Sequence, residues 1–270
     1  MPYELTALLN RCTREDAEFL LSVIDSSLNF TDDKGLAELF KNWKSGQEMP
    51  LELNHKIETE IRYLGSNDFA YMRRKLAGSV PAGVSVEEII DDICKLMKIE
   101  IPLAHTLEGR LEIFAGNVVD DQFRKSSPQR QRALIEKMGF DEFRRQEIFE
   151  KLKKNQDKLL PVLLPMLSGP LGPQVLQGLI ISILSQFVGR EAAKKLLVQV
   201  AQKIPVVGAA LGPLLLAGGA GWLIVDLAGP ASRKTIPLIL YLGILALRDG
   251  ATQDFDAEFR ILSPGSHAGG

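Results

Sequence analysis

The sequence predicts an all-α protein in two parts, on three observations. Apolar residues recur at helical spacing wherever the pattern is legible, and no run alternates as a strand would. Charge then stops abruptly: Leu159 to Gly189 is 31 residues without a formal charge, and Ile204 to Val225, IPVVGAALGPLLLAGGAGWLIV, adds 22 more. The mean hydropathy of +0.04 conceals this break by averaging the two parts. The expected organisation is a soluble, charged helical domain over 1–158, then an apolar Gly/Pro-rich helical hairpin or bundle over 159–248. That second part is either membrane-interacting or a core, and a polar, disordered tail over 249–270 comes after it.

The elements are legible in chain order. Leu5, Leu8 and Leu9, then Phe19, Leu20, Val23 and Ile24, keep helical spacing, with Thr13 as a cap before Arg14, Glu15 and Asp16. Asn29–Gly35 reads as a turn, Leu36–Trp43 as an amphipathic stretch, and Leu51–Leu64 as a helix ending at Gly65. A further helix over Phe69–Leu76 stops at Gly78, and Gly78–Gly83 connects it onward. Ser85 and Glu88 form a capping box that opens VEEIIDDICKLMKI, with Ile89, Ile90, Ile93 and Leu96 on one face. A longer helix runs from Thr106 to about Phe123. Ser127 before Pro128 starts the next, because proline is favoured at the first helical position. Asp141–Lys158 forms a heavily charged helix. Prolines 161, 165, 170 and 173 interrupt the apolar run, after which Val175–Val188, the basic Arg190–Lys203, the apolar Ile204–Val225 and Ile236–Leu247 are expected to be helical.

Net charge of −2 removes the general electrostatic argument for nucleic-acid binding, and the basic residues are spread through acid-rich helices. Cys12 and Cys94 form no CxxC pair, which suits a reducing, cytoplasm-like compartment better than a disulfide framework. The opening MPYELTALLNRCTRED is neither basic nor followed by an apolar run, so a secretory signal is not expected.

The apolar region admits three readings: a spanning protein, a peripheral or conditional membrane binder, and a soluble core. Ile204–Val225 would reach about 33 Å as a helix, enough for roughly 30 Å of hydrocarbon. Six prolines between Pro161 and Pro213 and five glycines between Gly208 and Gly221 weaken a helix in water but are tolerated in a membrane when neighbouring helices repair the backbone. Lys154, Lys158, Arg190, Lys194, Lys195 and Lys203 recur at every break instead of gathering on one side. That placement suits helices lying on an anionic membrane surface. Gly208 and Gly212, and Ala217 and Gly221, are spaced for close helix approach, which serves self-association in lipid or ordinary packing. Leu214, Leu215 and Trp222 complete the candidate insertion set, Trp222 as an interfacial anchor or a core residue.

No chemistry-bearing motif stands out. His55, His105 and His267 each sit alone, without the convergent ligands a metal site needs. Glu87, Glu88, Asp91 and Asp92 read as the solvated face and N-terminal charge of a helix, and Asp120 and Asp121 read the same way. There is no phosphate-binding GxxxxGK[ST], no GxGxxG after a strand and no GxSxG elbow. The expectation is a non-enzyme with no cofactor and no metal.

The order of segments resembles the YaaW-like bacterial family, itself related to the ubiquinol–cytochrome c chaperone domain. LTALLNRCTREDAEFLLSVI is similar to the family's opening LxxLxxCxxEDLxxL character, and ELNHKIETEIRYLGSNDFAYMRRKLAG to its helix, turn and basic Leu-Gly ending. EEIIDDICKLMKIEI resembles the following helix, although SVPAGVSVEEI lacks the aromatic residue that precedes it in the family. The resemblance covers roughly 3–248 and implies a membrane context, without catalytic residues.

Together these features lead to an expected non-enzymatic helical protein at the cytoplasmic face of the inner membrane. Part of 159–248 would insert and self-associate as a membrane-perturbing effector, with anionic lipids as partners and no nucleic acid. The alternative is a chaperone-like module that holds an apolar partner helix or membrane-protein subunit.

Overall fold

The computed structural model describes residues 3–24, 33–44, 46–65, 83–101, 106–137, 140–154, 158–166, 171–184 and 232–259. Among them all regular structure is helical: α1 Tyr3–Asn10, α2 Arg14–Ile24, α3 Asp33–Asn42, α4 Leu51–Leu64, α5 Val86–Met97, α6 Leu107–Lys125, α7 Pro128–Lys137, α8 Glu142–Lys154, α9 Leu160–Leu163, α10 Leu171–Leu184, α11 Ser232–Ala246 and α12 Gln253–Phe259. Short 3-10 turns, Leu164–Met166 and Leu247–Asp249, extend α9 and α11. The all-α expectation holds. The helix expected over Phe69–Leu76 and the segments Arg190–Lys203 and Ile204–Val225 lie outside the described residues.

Local signals set the helix starts. Ser85 Oγ accepts from the Glu88 N–H at 3.1 Å while the Ser85 N–H donates to Glu88 Oε2 at 2.9 Å, the reciprocal pair of a capping box. Thr13 and Asp16 repeat this ahead of α2, the Thr13 N–H reaching Asp16 Oδ2 at 2.7 Å. Thr106 Oγ1 accepts the Gly109 N–H at 3.0 Å and opens α6. α5 ends with Lys98 in the left-handed region, φ 55°, where its own N–H turns back onto Lys95 O.

Besides α3, which begins at Asp33 within the expected Asn29–Gly35 turn, and Lys158, which lies outside α8, three boundaries differ from expectation. α10 begins at Leu171, with Pro173 inside its first turn, where the missing N–H would have had no intrahelical partner. α11 begins at Ser232, a turn before Ile236, and so carries Pro237 within it. The third lies in the segment expected to be a disordered tail, where residues 253–259 form α12. Phe255 and Phe259, one turn apart, are buried with ring centroids 4.7 Å apart, and Thr252 Oγ1 accepts the Phe255 N–H. Small polar composition hid a short amphipathic helix that only its packing partner makes stable.

α6 and α11 form the axis. Every residue from Thr235 to Leu247 is buried, so α11 is covered on all sides from Thr235 onward. Among the described helices α6 is its main neighbour, and α10, α2, α4, α5 and α1 also pack against it. A Cβ on Gly243 would meet Ala115 Cβ at 2.9 Å and the Leu111 carbonyl oxygen at 3.0 Å, so the absence of a side chain is what lets α11 lie this close to α6. The change of composition after Lys158 does not coincide with a change of partner. Leu160, Leu163, Leu179, Leu238 and Leu242 belong to the same apolar cluster as Leu8, Leu20, Ile57 and Phe114. α8 stands further out, burying Ile148 and Leu152.

Candidate functional site

The residues expected to insert or self-associate, Gly208, Gly212, Leu214, Leu215, Ala217, Gly221 and Trp222, lie outside the described residues, as do Arg190, Lys194, Lys195 and Lys203. Lys154 and Lys158 are described, and both are exposed. What the structure brings together instead is polar: two groups of buried side chains that join helices of the charged part to helices of the apolar part.

The first centres on Asp16, 3 % exposed. Tyr241 of α11 donates to Asp16 Oδ1 at 2.8 Å and Arg248 to Asp16 Oδ2 at 2.7 Å, across separations of 225 and 232 residues. Arg248 also donates to Arg11 O at 2.9 Å, and the Phe19 ring lies 4.2 Å from that of Tyr241. Burial works against the charged carboxylate, but Arg248, the Thr13 amide and the Tyr241 hydroxyl outweigh it and hold Asp16 below the ordinary range. Tyr241 is pushed well up by burial and by the adjacent Asp16 charge, so it remains a donor.

The second runs along one stripe of α6: Gly109, Glu112, Gly116 and Asp120, spaced three, four and four residues apart. A Cβ on Gly109 would strike Asp254 Oδ2 at 2.5 Å, and one on Gly116 would strike Phe259 Cζ at 2.6 Å and Leu160 Cδ1 at 3.1 Å. The two glycines therefore let α12 and α9 settle against α6, and the two acids serve the ends of those helices. Glu112, 0 % exposed, accepts from Thr252 Oγ1 at 2.6 Å and from the Thr252 N–H at 2.9 Å, immediately before α12. Asp120 accepts the Leu160 N–H at 2.8 Å at the start of α9. No cation pairs with either carboxyl among the described residues. Burial is the dominant influence on both and pushes each up to about 7, against the Thr252 bonds for Glu112 and the Leu160 and Leu159 amides for Asp120.

The expectation of a solvated Asp120 is thus overturned: α9 covers it. Asp121 pairs with Arg124 at 3.0 Å and Lys125 at 2.7 Å, both of them exposed cations. Asp91 pairs with Arg110, and Glu88 is taken up in the capping box. Glu112 was not singled out by sequence reasoning. Its signal in the sequence is the alternation of glycine and acid along a single stripe of an otherwise apolar helix face.

Among the described residues no group of His, Cys, Asp and Glu could hold a metal ion. Cys12 and Cys94 are buried, and burial pushes their thiols up to about 12 and about 11, which leaves them protonated and unreactive at neutral pH. No helix among the described residues is long and apolar enough to cross a membrane. No protein-family model, curated protein or solved structure matches this chain.

Proposed function

We propose that the protein is a non-enzymatic, membrane-associating helical protein of the cytoplasmic membrane face. In this reading the helices of 1–158 form a soluble carrier, and 159–248 is an apolar helical hairpin or bundle sheltered against it, part of which enters lipid and self-associates to perturb the bilayer. The observation that carries the reading is the burial of α11 on every side from Thr235 onward, with most of its described neighbours being helices of the charged part. An apolar helix with no solvated face needs such a jacket in water, and lipid is the other medium that suits it. At 15 residues α11 would reach about 22 Å, short of the roughly 30 Å of hydrocarbon, which favours entry into one leaflet over a span.

A second feature supports the same reading. Residues 124–158, directly before the uncharged run, carry eleven Lys and Arg against six Asp and Glu. Arg130, Arg144, Lys153, Lys154 and Lys158 are exposed and make no ion pair among the described residues, and Phe143, next to Arg144 in the chain, stands 77 % exposed. Exposed basic side chains together with an exposed aromatic ring are the chemistry that meets an anionic lipid surface.

Flotation and dye release with the full chain on vesicles rich in anionic lipid test the proposal. The expected result is binding with leakage, both lost when Leu214→Glu or Leu215→Glu is introduced. Binding without leakage would reduce the protein to an anchor. A monodisperse protein indifferent to lipid would discard the reading and turn the search to a chaperone-like module with an apolar protein partner.

A further inference from the structure

We propose that Glu112 and Asp120 form a paired carboxyl clasp on α6, which holds both ends of the apolar region while neutral and yields as the carboxyls ionise. The placement is the argument. Asp120 receives the Leu160 N–H where the apolar region begins, and Glu112 receives Thr252 just past its end. Between them Gly116 lets Leu160 and Phe259 close onto the same point of the helix. From one stripe, Asp120 thus holds the start of α9 and Glu112 the residue before α12. The use of the clasp as a release device for membrane entry rests on the function proposed above; its hold on the fold does not.

Among the described residues, the charged groups around the stripe leave the clasp without a strong counter-ion. Glu112 faces two further acids, Glu108 on its own helix and Asp256 on α12. Asp254 of α12 lies against Gly109 and near Thr106. Arg11, beside α1, is committed to Glu108 at 2.7 Å, and Glu4 accepts the Leu107 N–H at 2.8 Å. On α5, Asp91 engages Arg110. On α11, Tyr241 and the following Arg248 are turned to Asp16. α10 has no charged residue. Lys158 and Arg124 bear on Asp120, but burial outweighs them. Glu112 Oε1 is buried without a hydrogen-bond partner among the described residues, a position far easier for a neutral acid than for a carboxylate.

The direction of the pH effect comes from linkage. In an opened state both acids would titrate at about 4, whereas each titrates at about 7 when closed. Between those values the closed state holds protons that the open state lacks, so closure weakens as pH rises through this window and levels off above it. Mild acid tightens the clasp, and mild alkali loosens it.

The test is hydrogen exchange on the full chain without lipid, read over 158–166 and 250–259 and corrected for intrinsic exchange. Protection in both segments should fall about tenfold for each carboxyl between about pH 6 and about pH 8. Glu112→Gln should flatten the fall over 250–259, and Asp120→Asn the fall over 158–166. Protection that is constant or rises with pH, or a slope unchanged in both variants, would overturn the clasp. Should the variants not fold, carboxyl carbon NMR on the unaltered protein decides: two carboxyls titrating near 7 support it, and none above about 5 overturns it. Because no lipid is present, failure here leaves the membrane reading standing, and failure to bind vesicles leaves the clasp standing.

Discussion

Asp16 and the α6 acids have nearly the same burial and opposite chemistry. All three carboxyls accept backbone or hydroxyl hydrogen bonds, and all three tie the charged part of the chain to residues that come after Lys158. Asp16 alone has a guanidinium on it, and Asp16 alone is held below the ordinary carboxylate range. Glu112 and Asp120 have amide and hydroxyl dipoles instead, and burial wins. Neutral donors offset part of the cost of burying a carboxylate, whereas a fixed opposite charge reverses it. One seam is therefore permanent at physiological pH, and the other answers to pH.

The largest effect should come from Arg248→Ala, which strips Asp16 of its counter-charge and turns it into an acid of the α6 kind. Denaturant unfolding at neutral pH should show a loss of about 3 kcal/mol, typical of a buried carboxylate left uncompensated. A loss below about 1 kcal/mol would mean that the Thr13 amide and the Tyr241 hydroxyl suffice, and the contrast between the two seams would collapse.

Gly116→Ala should cost about 2 kcal/mol, because the added methyl displaces both Phe259 and Leu160 from α6. Thermal unfolding checks it, and an unchanged melting temperature would show that α9 and α12 are not seated on this stripe. Tyr241→Phe removes one donor to Asp16 and should cost about 1.5 kcal/mol, half the Arg248→Ala effect. An equal cost would place the strength of the seam in its hydrogen bonds and not in its charge.

The pH profile of the unaltered protein sharpens the comparison further. Asp16, held low, contributes stability that is present above its unfolded value of about 4 and is lost as pH falls below it. Glu112 and Asp120, pushed up, have the reverse sign and erode stability between about 4 and about 7. Stability should therefore peak in mild acid, and a peak on the alkaline side would contradict the assignment of the α6 acids. The smallest effect belongs to Phe143→Ala, expected to change stability by less than about 0.5 kcal/mol because the ring is exposed. It should nevertheless weaken binding to anionic vesicles in the flotation assay.

Much of the helical framework could be read from the sequence, since its signals are local. The capping box of Ser85 and Glu88, the Thr106 and Thr13 caps and the end of α4 at Gly65 each depend on residues within a turn of one another. The proline positions were read less well. Pro173 looks like a boundary in sequence, yet it lies in the first turn of α10, where its missing N–H costs no intrahelical bond, and α11 starts a turn earlier than expected and so places Pro237 beyond its first turn. α12 was missed for another reason: seven residues cannot hold a helix alone, and its stability comes from Phe255 and Phe259 against a distant partner.

By itself, then, the sequence determined the fold class, most helix starts and the apolar character of the chain beyond Lys158, because periodicity, capping and hydropathy are properties of short stretches. Only the tertiary structure decided which acids are covered and by which helices. Asp16 meets Arg248 across 232 residues, and Glu112 and Asp120 acquire their environment from helices that come after them in the chain. The charge state of a carboxyl is set by the medium around it, and no local pattern encodes that medium.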